Sequence, residues 1–148
     1  FPPEKTIELK QSSWGSGGHY QVWLNDETEW MWPQIHDSEK KMAEVADMAA
    51  VGHDKLITRA AKQLARELLL VASSDWPFLV TTGQAKDYAT DRFKEHKERF
   101  DDLYKMIKSG NVDEKVLAQL EDTDSLFNGE DLDLKNFSPT TLSQSLTV

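Results

Sequence analysis

Four of the chain's five tryptophans, Trp14, Trp23, Trp30 and Trp32, stand within twenty residues of one another around the glycine cluster Ser13-Trp14-Gly15-Ser16-Gly17-Gly18-His19. A glycine-rich loop has no regular period with which to bury aromatic rings, so indoles concentrated there call for a surface role. Indole presents a flat apolar face with one N–H at its edge. That shape suits a sugar ring, whose C–H face is apolar while its hydroxyls point outward to polar partners. The composition leaves a second reading of equal weight for Trp14 and Trp23, a small satellite core covered by the loop.

The other residues that could do chemistry are scattered. His19, His36, His53 and His96 form neither a His-Glu-x-x-His pattern nor a four-residue histidine pair, and without cysteine only hard oxygen ligands remain in quantity, so no metal site is expected. His96 lies on an apolar helical stripe and reads as a hydrogen-bonded core histidine. No nucleophile elbow or phosphate-binding loop occurs. Glu27, Glu29, Asp101 and Asp102 suit a helix's first turn or a solvated face better than an acid/base pair, and no catalytic residue is expected among them. Asp75 differs: it stands between the end of a long helix and Trp76-Pro77, where its carboxylate can cap backbone, accept sugar hydroxyls, or do both.

Composition bounds what must position these residues. With 148 residues, 39% hydrophobic and 29% charged, the chain suits one compact domain with a modest core. A net charge of -9 and a pI near 4.9 oppose nucleic acid as a partner, since no basic stripe is present to release counterions. No run approaches the length of a membrane span, so no membrane partner is expected. Phe1-Pro2-Pro3-Glu4-Lys5 carries neither a signal peptide nor an initiator methionine, and the chain reads as a piece of something longer. The absence of cysteine fits a reducing compartment, with the cytoplasm as the default.

Helical periodicity dominates after the opening segment. Short extended pieces are expected at Thr6-Ile7-Glu8-Leu9 and Tyr20-Gln21-Val22-Trp23, with Asn25 or Asp26 as a helix cap and Pro33 kinking that helix or opening the next. Ile35, Met42, Val45 and Ala49 predict a helix over 33–50 closed by Gly52. Asp54 caps a second over 55–72, in which Leu56, Ala60, Leu64, Leu68 and Ala72 recur every fourth residue. Ser74-Asp75-Trp76-Pro77 starts a short helix or turn, and Ala85, Ala89, Phe93, His96, Phe100, Leu103 and Ile107 predict the longest helix, over 85–108. Asp113 caps a last one carrying Val116, Leu117 and Leu120. Beyond Thr123 the periodicity ends, and the remainder should be mobile unless something docks it.

Taken in order, several of these segments carry a resemblance. Ser13-Trp14-Gly-x-Gly-Gly-His19, Trp23-Leu24-Asn25, Glu29-Trp30, Ala65-Arg66-Glu67-Leu68-Leu69-Leu70, Ser74-Asp75-Trp76-Pro77-Phe78, Thr82-Gly83 and Glu95-His96-x-x-Arg99-Phe100 resemble the C-terminal domain of glycoside hydrolase family 57 glucan branching enzymes, over residues 3–127. The resemblance implies an all-α, helical bundle-like C-terminal domain preceded by a Gly/Trp-rich loop. Residues 1–24 are then a loop leading from a catalytic (β/α)7 barrel that this chain lacks, 25–127 the helical domain, and 128–148 a flexible tail. It implies an α-glucan substrate, cleaved at α-1,4 bonds and transferred to a 6-hydroxyl by two carboxylates on the barrel, with no cofactor. Trp14, Trp23 and Asp75 fall on family positions that face the glucan, which turns the tryptophan loop toward the ligand reading. The alternatives are a stand-alone acidic helical protein- or carbohydrate-binding module, and the matching domain of a related family 57 amylase or glucanotransferase.

Overall fold

The computed structural model describes residues 8, 10, 13–52, 54–127 and 132–138. Five α-helices account for most of them: α1 (Trp32–Val51), α2 (Lys55–Val71), α3 (Asp75–Thr82), α4 (Lys86–Ser109) and α5 (Glu114–Thr123). No strand occurs among the described residues, and the architecture is the expected all-α bundle.

The helix ends follow local chemistry. Pro33 sits in the first turn of α1, where its missing N–H costs nothing, so it opens this helix rather than kinking a preceding one. Asp54 accepts from the backbone N–H of Leu56 (2.8 Å) and Ile57 (3.2 Å), and Asp113 does the same for Lys115 (2.9 Å) and Val116 (3.3 Å). The segment 20–23 departs from the extended conformation expected of it. Tyr20–Val22 is a 3-10 turn, with Trp23 N–H and Leu24 N–H both bonded to the Tyr20 carbonyl at 2.9 Å. Alternation over four residues cannot hold a strand that has no partner to pair with. Its companion at 6–9 falls largely outside the described residues.

Packing centres on α2, which lies against α1, α4 and α5, while α3 rests on α4. The seam is filled by the predicted stripes: Met42 and Val45 of α1, Leu64 of α2, and Phe93, Phe100 and Leu103 of α4 are wholly buried. Outside the seam, α4 is tied to α1 by ions. Lys41 donates to Asp101 (3.1 Å), which also accepts from Lys97. Burial works to raise the Asp101 carboxyl, but the hydrogen bonds from Lys97 and Lys41 outweigh it and hold the group below its ordinary value. A carboxyl with a depressed folded-state pKa stabilises the fold above its unfolded value and loses that contribution as pH falls. Asp101→Asn should therefore lower the melting temperature at pH 7 and lower it progressively less as pH falls below the ordinary carboxyl range; an equal loss at every pH would contradict the pairing.

Beyond α5 the chain is docked in part. Leu132 is buried, a 3-10 turn at Leu134–Phe137 packs on α1 and α2, and Ser138 donates its hydroxyl to Asp47. This is the docking that the periodicity leaves open, and it gives residues 132–138 a fixed place. The rest of the expected tail, 139–148, lies outside the described residues, as does 128–131.

Candidate functional site

The glycine cluster folds into a tight, self-bonded loop. Ser13 Oγ accepts from Gly15 N–H (3.0 Å), Gly18 N–H returns to the Gly15 carbonyl (3.0 Å), and Ser13 N–H reaches the Gly18 carbonyl (3.2 Å). Gly17 and Gly18 take φ of 64° and 75°, a left-handed pair of residues that side chains rarely tolerate in succession. Gly15 matters for another reason. A Cβ there would stand 2.4 Å from the His19 carbonyl oxygen and 3.0 Å from the Trp23 ring, so only glycine lets the loop close over that indole.

What the loop presents is Trp14. Its ring is 83% exposed, yet it is not free: Trp23 lies 6.2 Å away and Phe78 of α3 lies 6.3 Å away, centroid to centroid. The satellite-core reading requires Trp14 to be covered, and among the described residues nothing covers it. Trp23 is half-buried and firmly held through its carbonyl, which accepts from the hydroxyl of the fully buried Thr28 (2.9 Å) and from the Trp32 indole (3.1 Å). Asn25 then fastens the segment to α3, donating to Thr81 Oγ1 (2.8 Å) as well as to the Gln21 carbonyl (2.7 Å).

The tryptophan cluster thus divides. Trp30 turns inward, edge-on to Phe93 at 5.2 Å with its N–H on the Glu27 carbonyl, and Trp32 packs on the core with its N–H on Trp23. Neither belongs to the exposed platform, contrary to a uniform surface role for all four. Trp14 and Trp23 carry the two indole N–H groups with no partner among the described residues. Asp75 is exposed at the first turn of α3, where its carboxylate accepts from the Ser73 hydroxyl (3.2 Å) and caps no backbone N–H. Among the described residues no hydrogen bond joins Asp75 to either tryptophan; its neighbour Ser74 shares a cavity wall with Trp23. Sequence reasoning missed Phe78, whose part is visible only once α3 lies beside the loop.

Gly15→Ala should displace the His19 carbonyl and with it the Trp23 ring, costing about 1–3 kcal/mol locally. Near-UV circular dichroism is expected to change while the helical signal stays intact; an unaltered near-UV spectrum would mean that the loop does not close as described.

Three of the four candidate carboxylates are paired with lysines, and the fourth, Glu29, is exposed in the 3-10 turn Glu29–Met31. Glu27 pairs with Lys86 (2.9 Å), Asp101 with Lys41 and Lys97, and Asp102 with Lys105 (2.9 Å). His96 is buried, as its stripe position predicts. Arg92 Nη2 donates to its Nε2 (2.9 Å), so the ring proton sits on Nδ1 and points to Glu67 Oε2 (3.1 Å). Trp76 stacks over the same imidazole at 6.2 Å. Burial pushes the Glu67 carboxyl above its usual range, against the hydrogen bonds from His96 and Gln63. Glu67, His96 and Asp124 bring their donor atoms within 4.8 Å of one another, a spacing that could hold a cation. The set fits one poorly. Nδ1 carries the proton that a metal would have to replace, and Arg99 already occupies Asp124 at 2.5 Å. With Glu67 and His96 only 0% and 1% exposed, the cluster also cannot reach a substrate.

Comparisons with known proteins bear on the family and the fold. The family described as 1,4-alpha-glucan branching enzyme, C-terminal, matches residues 34–137, reaching past Phe127 into the docked turn. A 1,4-alpha-glucan branching enzyme of Thermococcus kodakarensis is 43% identical over 125 residues, covering 82% of this chain and 18% of that protein. A crystal structure of a family 57 branching enzyme from the same organism, in complex with glucose and additives, superposes with a TM-score of 0.79 at 40% identity, over 89% of this chain and 24% of that one. An α-amylase, AmyC, from Thermotoga maritima gives a TM-score of 0.68 at 32% identity, over 77% of this chain and 22% of that one. The chain therefore spans about a fifth of the length of its curated relatives. With the motifs in order, the helices in place and the family matched over most of its length, the chain belongs to the C-terminal domains of family 57 1,4-alpha-glucan branching enzymes.

Proposed function

We propose that this chain is the substrate-cleft domain of a 1,4-alpha-glucan branching enzyme, one wall of a site whose catalytic carboxylates lie on a (β/α)7 barrel in the rest of the protein. The observation that carries the reading is the exposed Trp14 ring, braced by Trp23 and Phe78. An indole held open on a closed loop is a stacking platform, and Trp14, Trp23 and Asp75 are the residues we assign to the glucan. The Thermococcus structure is in complex with glucose and additives, which fits a sugar as a ligand of such a protein.

The division of labour follows from the chemistry. Branching needs a glycosyl-enzyme that survives until a sugar 6-hydroxyl arrives, so the acceptor must be held and water kept away. A wall of indoles does both. The two reacting carboxylates belong elsewhere, because here Glu27, Asp101 and Asp102 are paired with lysines and Glu67 is sealed from solvent. Such a reaction uses no cofactor or metal, and a place in glycogen synthesis in the cytoplasm fits a cysteine-free chain. Among the described residues no helix is long and apolar enough to cross a membrane.

The Thermotoga amylase favours a second reading, in which water rather than a sugar takes the glycosyl group. Product analysis separates the two. The full-length protein acting on amylose is expected to create α-1,6 linkages, while the 148-residue chain alone creates none and releases no reducing sugar. Linear shortened products from the full-length protein would establish hydrolysis instead, and turnover by the isolated chain would overturn the assignment of the carboxylates.

A further inference from the structure

Helix α2 is the basic element of an acidic protein. The chain carries 17 lysines and arginines against 26 acidic residues, yet α2 holds Lys55, Arg59, Lys62 and Arg66 with a single acid, Glu67, which turns inward to His96. Spacings of four, three and four residues place all four cations on one face. The arrangement works against the helix twice: like charges three and four residues apart repel, and Lys55 and Arg59 crowd the end that the helix dipole already makes positive. No acidic residue offsets them in the first turn. A pattern that opposes local stability needs a partner to explain it.

Two of the four cations have theirs inside the protein. Arg59 clasps Glu121 through Nε (2.8 Å) and Nη2 (2.6 Å) and Glu114 through Nη1 (3.0 Å), pinning α5, and Arg66 holds the Leu126 carbonyl (2.8 Å). Neither Lys55 nor Lys62 is paired among the described residues. All four cations line one cavity of about 470 Å³, bounded by Gly52 at the end of α1 and by Glu121. Its lining thus carries four cations and one carboxylate, and that carboxylate is already bonded to Arg59. The volume lies in the range of sites that hold small organic ligands, and the cavity shares no lining residue with the Trp14 platform.

The chemistry of the uncommitted groups selects the ligand. A carboxylate is matched by the planar fork of arginine, and here Glu121 fills the fork of Arg59. What remains is two ammonium groups, compact point charges that suit the several oxygens and double charge of a phosphoryl group. Nucleic acid does not fit, because a phosphate backbone needs an extended basic track, and this patch is one cavity on a chain of net charge -9. We propose that the cavity binds a phosphate-bearing small molecule, held by Lys55 and Lys62, at a site independent of the glucan platform.

The test titrates the full-length protein calorimetrically with inorganic phosphate and with glycerol 3-phosphate, at an ionic strength held constant with chloride. Lys55→Gln/Lys62→Gln removes both uncommitted cations, while Lys40→Gln/Lys94→Gln removes the same charge from exposed positions on α1 and α4. The site predicts saturable binding that the first pair weakens about tenfold or more and the second leaves within about twofold, the scale of lost charge-assisted contacts. Tighter binding of glycerol 3-phosphate would make the natural ligand an ester, and equal affinities would make it inorganic phosphate. Melting curves give an independent reading. Without phosphate the first pair should melt at or above the parent, because it relieves like-charge repulsion on α2, and added phosphate should stabilise the parent and the second pair but not the first. No saturable binding, or equal weakening by both pairs, would overturn the site. A lower melting temperature for the first pair without phosphate would overturn it as well, because the lysines would then serve the fold.

Discussion

Phe100→Asp should unfold the domain or lower its melting temperature by more than ten degrees. Phe100 lies in the middle of α4 with no solvent exposure, in the seam where α2, α4 and α1 meet. Truncating a buried phenylalanine costs about 3–5 kcal/mol through lost transfer energy and the cavity left behind. Aspartate adds the cost of an unpaired buried charge, or of protonating it. A domain of this size has roughly 5–15 kcal/mol in total, so the sum consumes much or all of it. Lys97, whose ammonium lies 5.9 Å from the Phe100 ring, offers little relief because it is already bonded to Asp101. Thermal melts of the two proteins check this, and matching transitions would refute the packing of α4 into the core.

That packing was the part most legible in the residues. Ala89, Phe93, His96, Phe100, Leu103 and Ile107 recur at helical spacing and are all buried, because one stripe of α4 faces the other helices, chiefly α2 and α3. The caps at Asp54 and Asp113 were legible for a similar reason: they depend on contacts two and three residues away. Polar burial was harder to see. Gln63, Arg66 and Glu67 of α2 lie inside the protein, where hydrophobic periodicity places only apolar residues. Their partners are His96, 29 positions from Glu67, and the segment after α5, where Arg66 reaches the Leu126 carbonyl at 2.8 Å. Gln63 also links to Glu67 and Arg66 within α2, but nothing local announces the distant pairings.

The candidate site divides along the same line. Glycine and tryptophan in one loop marked Trp14 and Trp23, since an indole beside flexible backbone has few places to hide. The fates of Trp30 and Trp32 depended on Phe93 and on the Trp23 carbonyl, which composition does not reveal. Tyr20–Val22 misled because a short alternating run looks alike in a strand and in a turn. Asp75 was placed at the start of a helix as expected, but its backbone-capping role went unrealised: its carboxylate takes the Ser73 hydroxyl instead.

Trp14→Ala carries the largest expected effect on function. At 83% exposure the side chain contributes little to the fold, so the melting temperature should stay within about two degrees of the parent. Losing a stacked ring should remove about 1–3 kcal/mol of glucan contact. In the full-length enzyme that loss falls unevenly. Hydrolysis needs only the donor and water, whereas transfer also needs an acceptor held in place, so the glycosyl-enzyme partitions toward water when the acceptor loosens.

The direct test is the ratio of α-1,6 transfer to hydrolysis in full-length Trp14→Ala, measured on amylose beside its melting curve. The platform predicts a ratio several-fold below the parent with the fold unchanged. An unaltered ratio, with both activities falling in proportion to a lost melting transition, would contradict it and return Trp14 to a structural role.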